Sequence, residues 1–150
     1  MKIAVASDHA GYQLKQRVRI ELQRAGHDVA DLGSHSDEPV DYPDYARAVA
    51  EAVLSGAAGR AVLICGSGAG ACVAANKFKG IRAATCHDIF SAHQCVEDDD
   101  CNVLCLGARV IGSEVAVEIV HRFLAAKFSG AERHLRRLAK IAGFEERFGK

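Results

Sequence analysis

The chain has 150 residues, of which 49% are hydrophobic and 25% charged, and its 19 Lys and Arg balance 19 Asp and Glu. This is the composition of a soluble globular protein, with length for one domain and a real core. A net charge of zero argues against a general nucleic-acid binder. No apolar run nears the ~20 residues of a membrane span.

Lys2 to Ser7 is a short apolar run followed at once by Asp8, His9 and Gly11, and reads as a buried first strand. From Tyr12, Leu14, Val18, Leu22 and Ala25 recur at helical spacing, with Lys and Arg expected on the other face and Gly26 as the stop. The cycle repeats with a strand at Val29 to Leu32, a polar loop at Gly33 to Pro39, and a helix from Pro43 that lines up Ala46, Val49, Ala50 and Val53. A third strand, Ala61 to Ile64, leads through a Gly-rich turn into a small-residue helix, Ala69 to Lys77. Arg82 to Thr85 is the fourth strand, and Asp88 caps the helix after it. Val103 to Leu106 is the fifth, followed by a helix from Ser113 carrying Val117, Val120 and Leu124. The last segment, Ala131 to Ala142, sets Leu135, Leu138 and Ala142 beside Arg133, Arg136, Arg137 and Lys140, and is expected to pack at a subunit interface. Strands alternating with helices predict an α/β, Rossmann-like three-layer domain over residues 1–150 with a five-stranded parallel sheet.

Ligands of such sheets bind at the carboxyl ends of the strands. The loops there carry Asp8-His9-Ala10-Gly11, Cys65-Gly66-Ser67-Gly68-Ala69-Gly70 and Gly107-Ala108-Arg109. Three glycines at alternate positions allow a backbone to approach a ligand and direct N–H groups at an anion such as a phosphate or an enediolate. The alternative is a tight turn that needs glycine for space alone. Gly66, Gly68 and Ala71 also match a dinucleotide pattern, although the turn follows the third strand and little chain remains for a substrate domain.

Cys65 opens this loop, beside a helix N-terminus that favours negative charge, and is a candidate base or nucleophile. Cys72, Cys86, Cys101 and Cys105 read as inert fillers. The six cysteines include no CxxC pair, and no secretory apolar segment follows Met1, which fits reduced thiols and a cytoplasmic protein. His87, His93 and Cys95 match no common zinc spacing, so no metal is expected. Arg133 and Arg137 share a helix face and can fork a phosphate, or simply be solvated.

Several motifs in order then carry a resemblance: Ser7-Asp8-His9-Ala10-Gly11, Asp41-Tyr42-Pro43, Cys65-Gly66-Ser67-Gly68, Ala74-Ala75-Asn76-Lys77, Gly80-Ile81-Arg82-Ala83, Ser91-Ala92, Asn102-Val103-Leu104 and Gly107-Ala108-Arg109-Val110-Ile111-Gly112. From Met1 to about Arg137 the chain resembles the type B ribose-5-phosphate isomerases and the related galactose-6-phosphate isomerases. The resemblance implies aldose–ketose isomerisation through an enediol, without metal or organic cofactor. It also implies a homodimer or homotetramer whose sites are shared between subunits.

With Cys65 present and Ala71 where another branch has glutamate, the chain is similar to the cysteine branch. Catalytic roles then fall to Cys65, Ser67 and Asp98. Substrate binding falls to Asp8, His9, Tyr42, Gly66, Ser67, Gly68, Gly70, Asp99 and Arg109, with Arg133 and Arg137 on the phosphate. Asp98 is a departure: the family typically has a ring-opening histidine there, whereas this chain reads Glu97-Asp98-Asp99-Asp100. Slower ring opening is the expected consequence, with His93 a turn upstream as a substitute acid. A six-carbon sugar phosphate as substrate, or a non-catalytic phosphate- or nucleotide-binding module, are the alternative readings.

Overall fold

Alternation within the strands decides the layers, because successive side chains point to opposite faces of a sheet. Ile3, Val5, Val62, Ile64, Leu104 and Leu106 face one side, while Ala4, Ala6, Ala61, Leu63, Cys65, Val103 and Cys105 face the other. The computed structural model describes residues 1–149; Lys150, the last residue of the expected domain, lies outside them.

The elements are β1 (Lys2–Ser7), α1 (Tyr12–Arg24), β2 (Asp28–Asp31), α2 (Tyr42–Leu54), β3 (Arg60–Cys65), α3 (Ala69–Ala75), β4 (Ala83–Thr85), α4 (Ile89–Asp99), β5 (Val103–Gly107), α5 (Ser113–Ala125) and α6 (Glu132–Phe148). All pairings are parallel, in the order β2-β1-β3-β5-β4. The Leu14, Val18 and Leu22 stripe of α1 packs with α4 and α5 on the first face. Ala46, Val49 and Ala50 of α2 and Ala71 and Ala75 of α3 cover the second. The expected three-layer α/β arrangement is therefore the one adopted. Among the described residues no helix is long and apolar enough to cross a membrane.

Local differences from expectation have identifiable causes. Helix α3 stops at Ala75 rather than Lys77 because Asn76 turns its amide onto the next strand: Oδ1 accepts the Ala83 N–H and Nδ2 donates to the Ala83 carbonyl, each at 2.9 Å. Helix α6 continues past Ala142 to Phe148, since an interior glycine costs only ~1 kcal/mol and Glu145, in the added turns, accepts the Gly80 N–H at 3.2 Å. Lys15 does not share the solvent face of α1. Its side chain is fully buried, with Nζ 2.5 Å from Asp31 Oδ1 and 2.6 Å from the Ser34 carbonyl. A buried ammonium requires such partners, and they tie α1 to the end of β2.

Helix α6 is attached lightly. His134 is its one buried residue, and Leu135, Ile141, Phe144 and Phe148 are all exposed. Its apolar stripe therefore lies open to solvent in the single chain.

Candidate active site

Strand order reverses beside β1, with β2 on one side and β3 on the other, which opens a crevice at the carboxyl ends. Backbone hydrogen bonds sew three loops around it. The Asp8 N–H donates to the Ile64 carbonyl at 3.1 Å, the Ala108 N–H to Cys65 at 2.9 Å, and the Arg109 N–H to Gly66 at 3.0 Å. Gly68 takes φ of +82°, a left-handed conformation suited to glycine, and so turns the chain from β3 into α3.

The loops enclose an open pocket of about 370 Å³ lined by Asp8, Tyr42, Cys65, Ser67, Gly70 and Arg109, with Gly66 and Val110 completing the wall. Cys65 is only 4% exposed, and its Sγ accepts the Gly68 N–H at 3.1 Å. A peptide donor aimed at the sulfur is an arrangement that stabilises negative charge there. Asp8 is buried with Oδ1 accepting the Gly11 N–H at 3.0 Å. Ser67 Oγ accepts the Ala69 N–H at 3.3 Å. Tyr42 lies against Gly70, and the Arg109 guanidinium against Gly66. His9 stands behind this wall: its Nδ1 is 3.2 Å from both N and O of Val40, on the segment that delivers Tyr42.

The remaining predicted residues are elsewhere in the chain. Asp98 and Asp99 end α4, just before β5 begins, and so lie toward the amino ends of the strands, away from the carboxyl end that carries Cys65. Asp98 Oδ2 accepts from Gln94 Nε2 at 2.8 Å, and its Oδ1 is 3.5 Å from His134 Nε2. Arg133 and Arg137 are exposed on α6. One chain thus gathers Asp8, Tyr42, Cys65, Gly66, Ser67, Gly70 and Arg109 at one pole, and does not bring Asp98, Asp99, Arg133 or Arg137 to them.

The acidic run is mostly partnered within the chain. Glu97 pairs with His93 at 3.0 Å and Asp100 with Arg82 at 2.6 Å. His93 is therefore turned to Glu97, not to the pocket. His87 Nε2 accepts the Gly107 N–H at 2.8 Å and so steadies the turn that carries Arg109. Cys72 is half-buried outside the pocket, and hydrogen bonds, first from Cys105 and then from Thr85 and Asn76, draw its thiol down to about 6 against the effect of burial. Among residues not anticipated, Val110 lines the pocket by its place after Arg109, and His134 meets Asp98 only because α6 folds back on α4.

A model of the family described as Ribose/Galactose Isomerase matches residues 3–141. Ribose-5-phosphate isomerase B of Escherichia coli is 44% identical over 146 residues, covering 97% of each chain. The structure of ribose-5-phosphate isomerase B from Clostridium thermocellum superposes with a TM-score of 0.97 at 46% identity, covering 99% of both chains. The enzyme of the same name from Mycoplasma genitalium, solved with bound ribulose-5-phosphate, gives a TM-score of 0.91 at 40% identity and covers 97% of this chain and 96% of that one.

Proposed function

Since the chain belongs to the ribose/galactose isomerase family, we propose that it interconverts an aldose phosphate and its ketose, ribose 5-phosphate and ribulose 5-phosphate first among them, with Cys65 as the base. The observation that carries this reading is the Cys65 sulfur at the mouth of a Gly-rich loop, under a peptide donor, in a pocket shared with Asp8, Ser67, Tyr42 and Arg109.

In the open-chain aldose the hydrogen on C2 is acidic because the electrons left behind pass to O1. The Cys65 thiolate takes that proton, giving an enediolate, and the amides of the Gly66–Gly70 loop stabilise the charge on oxygen. Ser67 relays the hydroxyl proton from O2 to O1. The Cys65 thiol then returns its proton to C1, leaving the carbonyl at C2 and the thiolate restored. Arg133 and Arg137 hold the phosphate, whose binding energy aligns C1 and C2 with the base. Asp98 stands where a ring-opening acid is needed and, when ionised, cannot donate, so the step from furanose to open chain is slow.

Two subunits complete each site. One supplies the Cys65 pole, and the other supplies Asp98, Asp99, Arg133 and Arg137. The exposed apolar stripe of α6 supports a homodimer or homotetramer, since such a stripe gains from being covered. The protein acts in the cytoplasm and needs no cofactor.

Cys65→Ala tests the assignment. Loss of a general base costs about 100-fold or more, read as turnover and as exchange of deuterium from the C2-labelled aldose phosphate. Cys72→Ala is the control thiol and retains activity. Full turnover in Cys65→Ala would remove the proposal, and a panel of pentose and hexose phosphates identifies the preferred sugar.

A further inference from the structure

His134 is the one buried residue of a mostly exposed helix, at 2% exposure. Such a group is kept from water only with its nitrogens satisfied. Nδ1 lies 2.7 Å from Ser129 Oγ, while Nε2 faces two groups, Arg133 Nε at 3.0 Å and Asp98 Oδ1 at 3.5 Å. Arginine is always a donor, so Nε2 is the acceptor and the ring hydrogen is on Nδ1, donated to Ser129. Ser129 is itself fixed, its N–H donating to the Glu97 carbonyl at 2.9 Å and its Oγ accepting the Ala131 N–H at 3.3 Å. The ring is therefore held at both nitrogens, with one directed at an arginine whose remaining donors have no partner among the described residues.

Asp98 has a place in this arrangement beyond proton transfer. Gln94 holds one carboxylate oxygen and directs the other toward the His134 ring, which leaves a negative charge beside the Arg133 Nε contact. A guanidinium is planar, so fixing Nε fixes the plane of the whole fork.

We propose that His134 is a positioning residue that sets the orientation of the Arg133 guanidinium, so that the arginine meets the substrate phosphate already ordered. This rests on the reading of Arg133 as a phosphate ligand. Arginine side chains lose rotamer freedom when they bind, and a pre-set fork loses less of it at that moment.

The test compares His134→Phe, which keeps a ring and removes the acceptor, with His134→Gln, whose amide oxygen reaches the former Nε2 place. Steady-state kcat and KM on ribose 5-phosphate are read beside the inhibition constant of inorganic phosphate. The loss of one hydrogen bond of modest strength corresponds to about five-fold in binding. His134→Phe is therefore expected to raise KM and the phosphate inhibition constant about five-fold with kcat within two-fold, and His134→Gln to restore both to within two-fold. Arg133→Met separates the two levels. If it raises the phosphate constant while His134→Phe does not, the positioning role is overturned and the phosphate reading stands. If Arg133→Met also leaves the constant unchanged, the phosphate reading fails and takes the positioning role with it. Should His134→Phe not fold, Ser129→Ala, which frees Nδ1, carries the test: a two-fold or greater rise in the phosphate constant supports the role, and no change overturns it.

Discussion

Gly70→Ala is a small change with a directional consequence. A Cβ built on Gly70 would lie 2.8 Å from Tyr42 Cζ and 3.1 Å from both Cε2 and the hydroxyl oxygen. Carbon atoms in contact normally sit at about 3.5 Å or more, so about 0.7 Å of overlap has to be relieved. The backbone of α3 is tied down, whereas Tyr42 is 39% exposed and can swing. Stability changes little, because alanine gains up to ~1 kcal/mol over glycine in a helix, against an overpacking cost of ~1–3 kcal/mol that an exposed ring can partly escape. Activity is affected more, since Tyr42 shares the pocket wall with Cys65 and a displacement of about 1 Å in a site can cost on the order of 100-fold. Ketose formation is therefore expected to fall in kcat/KM by ~10- to 100-fold, while thermal unfolding shifts by only about 4 °C or less. In a Tyr42→Leu background the same alanine should cost little more. Parent kinetics in Gly70→Ala, or an equal loss whether or not the tyrosine is present, would refute the reasoning.

The Lys15–Asp31 pair gives an acid-sensitivity. Burial works against ionisation of Asp31, but the Lys15 hydrogen bond and the Gly33 amide outweigh it and hold the carboxyl below its ordinary 3.8. Because the folded value is depressed, the stability contributed is fully present above the unfolded value and is lost as pH falls through the folded one. Asp31→Ala should cost ~3 kcal/mol near neutral pH by stranding a buried ammonium, with the gap from the parent narrowing below about pH 4; denaturant titrations at several pH values check this. Asp98→His should raise turnover on ribose 5-phosphate, which closes to a furanose, more than on a four-carbon aldose 4-phosphate, which has no free hydroxyl for a five-membered ring. Equal or lower pentose turnover would count against the ring-opening argument.

Much of the architecture was legible because local chemistry repeats there. The apolar runs of β1, β3 and β5 and the stripes of α1, α2 and α5 encode their partners by periodicity. The Cys65-to-Gly70 loop announces a site by its composition, and the order of strands brings Asp8 and Arg109 to it. What was not legible depends on three-dimensional neighbours. Lys15 reads by its charge as part of the polar side of α1, although three and seven residues before Val18 and Leu22 it lies on their face, and only the course of the chain after β2 supplies the acceptors that allow its burial. The acidic run at Glu97 to Asp100 is an ambiguous pattern in sequence, because two of its partners, Arg82 and His134, come from separate parts of the chain. His134 follows Arg133 on a helix rich in basic residues, where nothing in the sequence sets it apart until α6 is seen lying on α4.

The separation of the site residues into two poles of one chain has a genetic consequence. If each reaction centre draws its base from one protomer and its phosphate ligands from another, defects at the two poles can rescue each other. Cys65→Ala and Arg133→Met proteins, each impaired alone, would regain turnover when their subunits are exchanged, because a mixed pair contains one centre with neither lesion. Two changes placed in the same pole would give no such recovery.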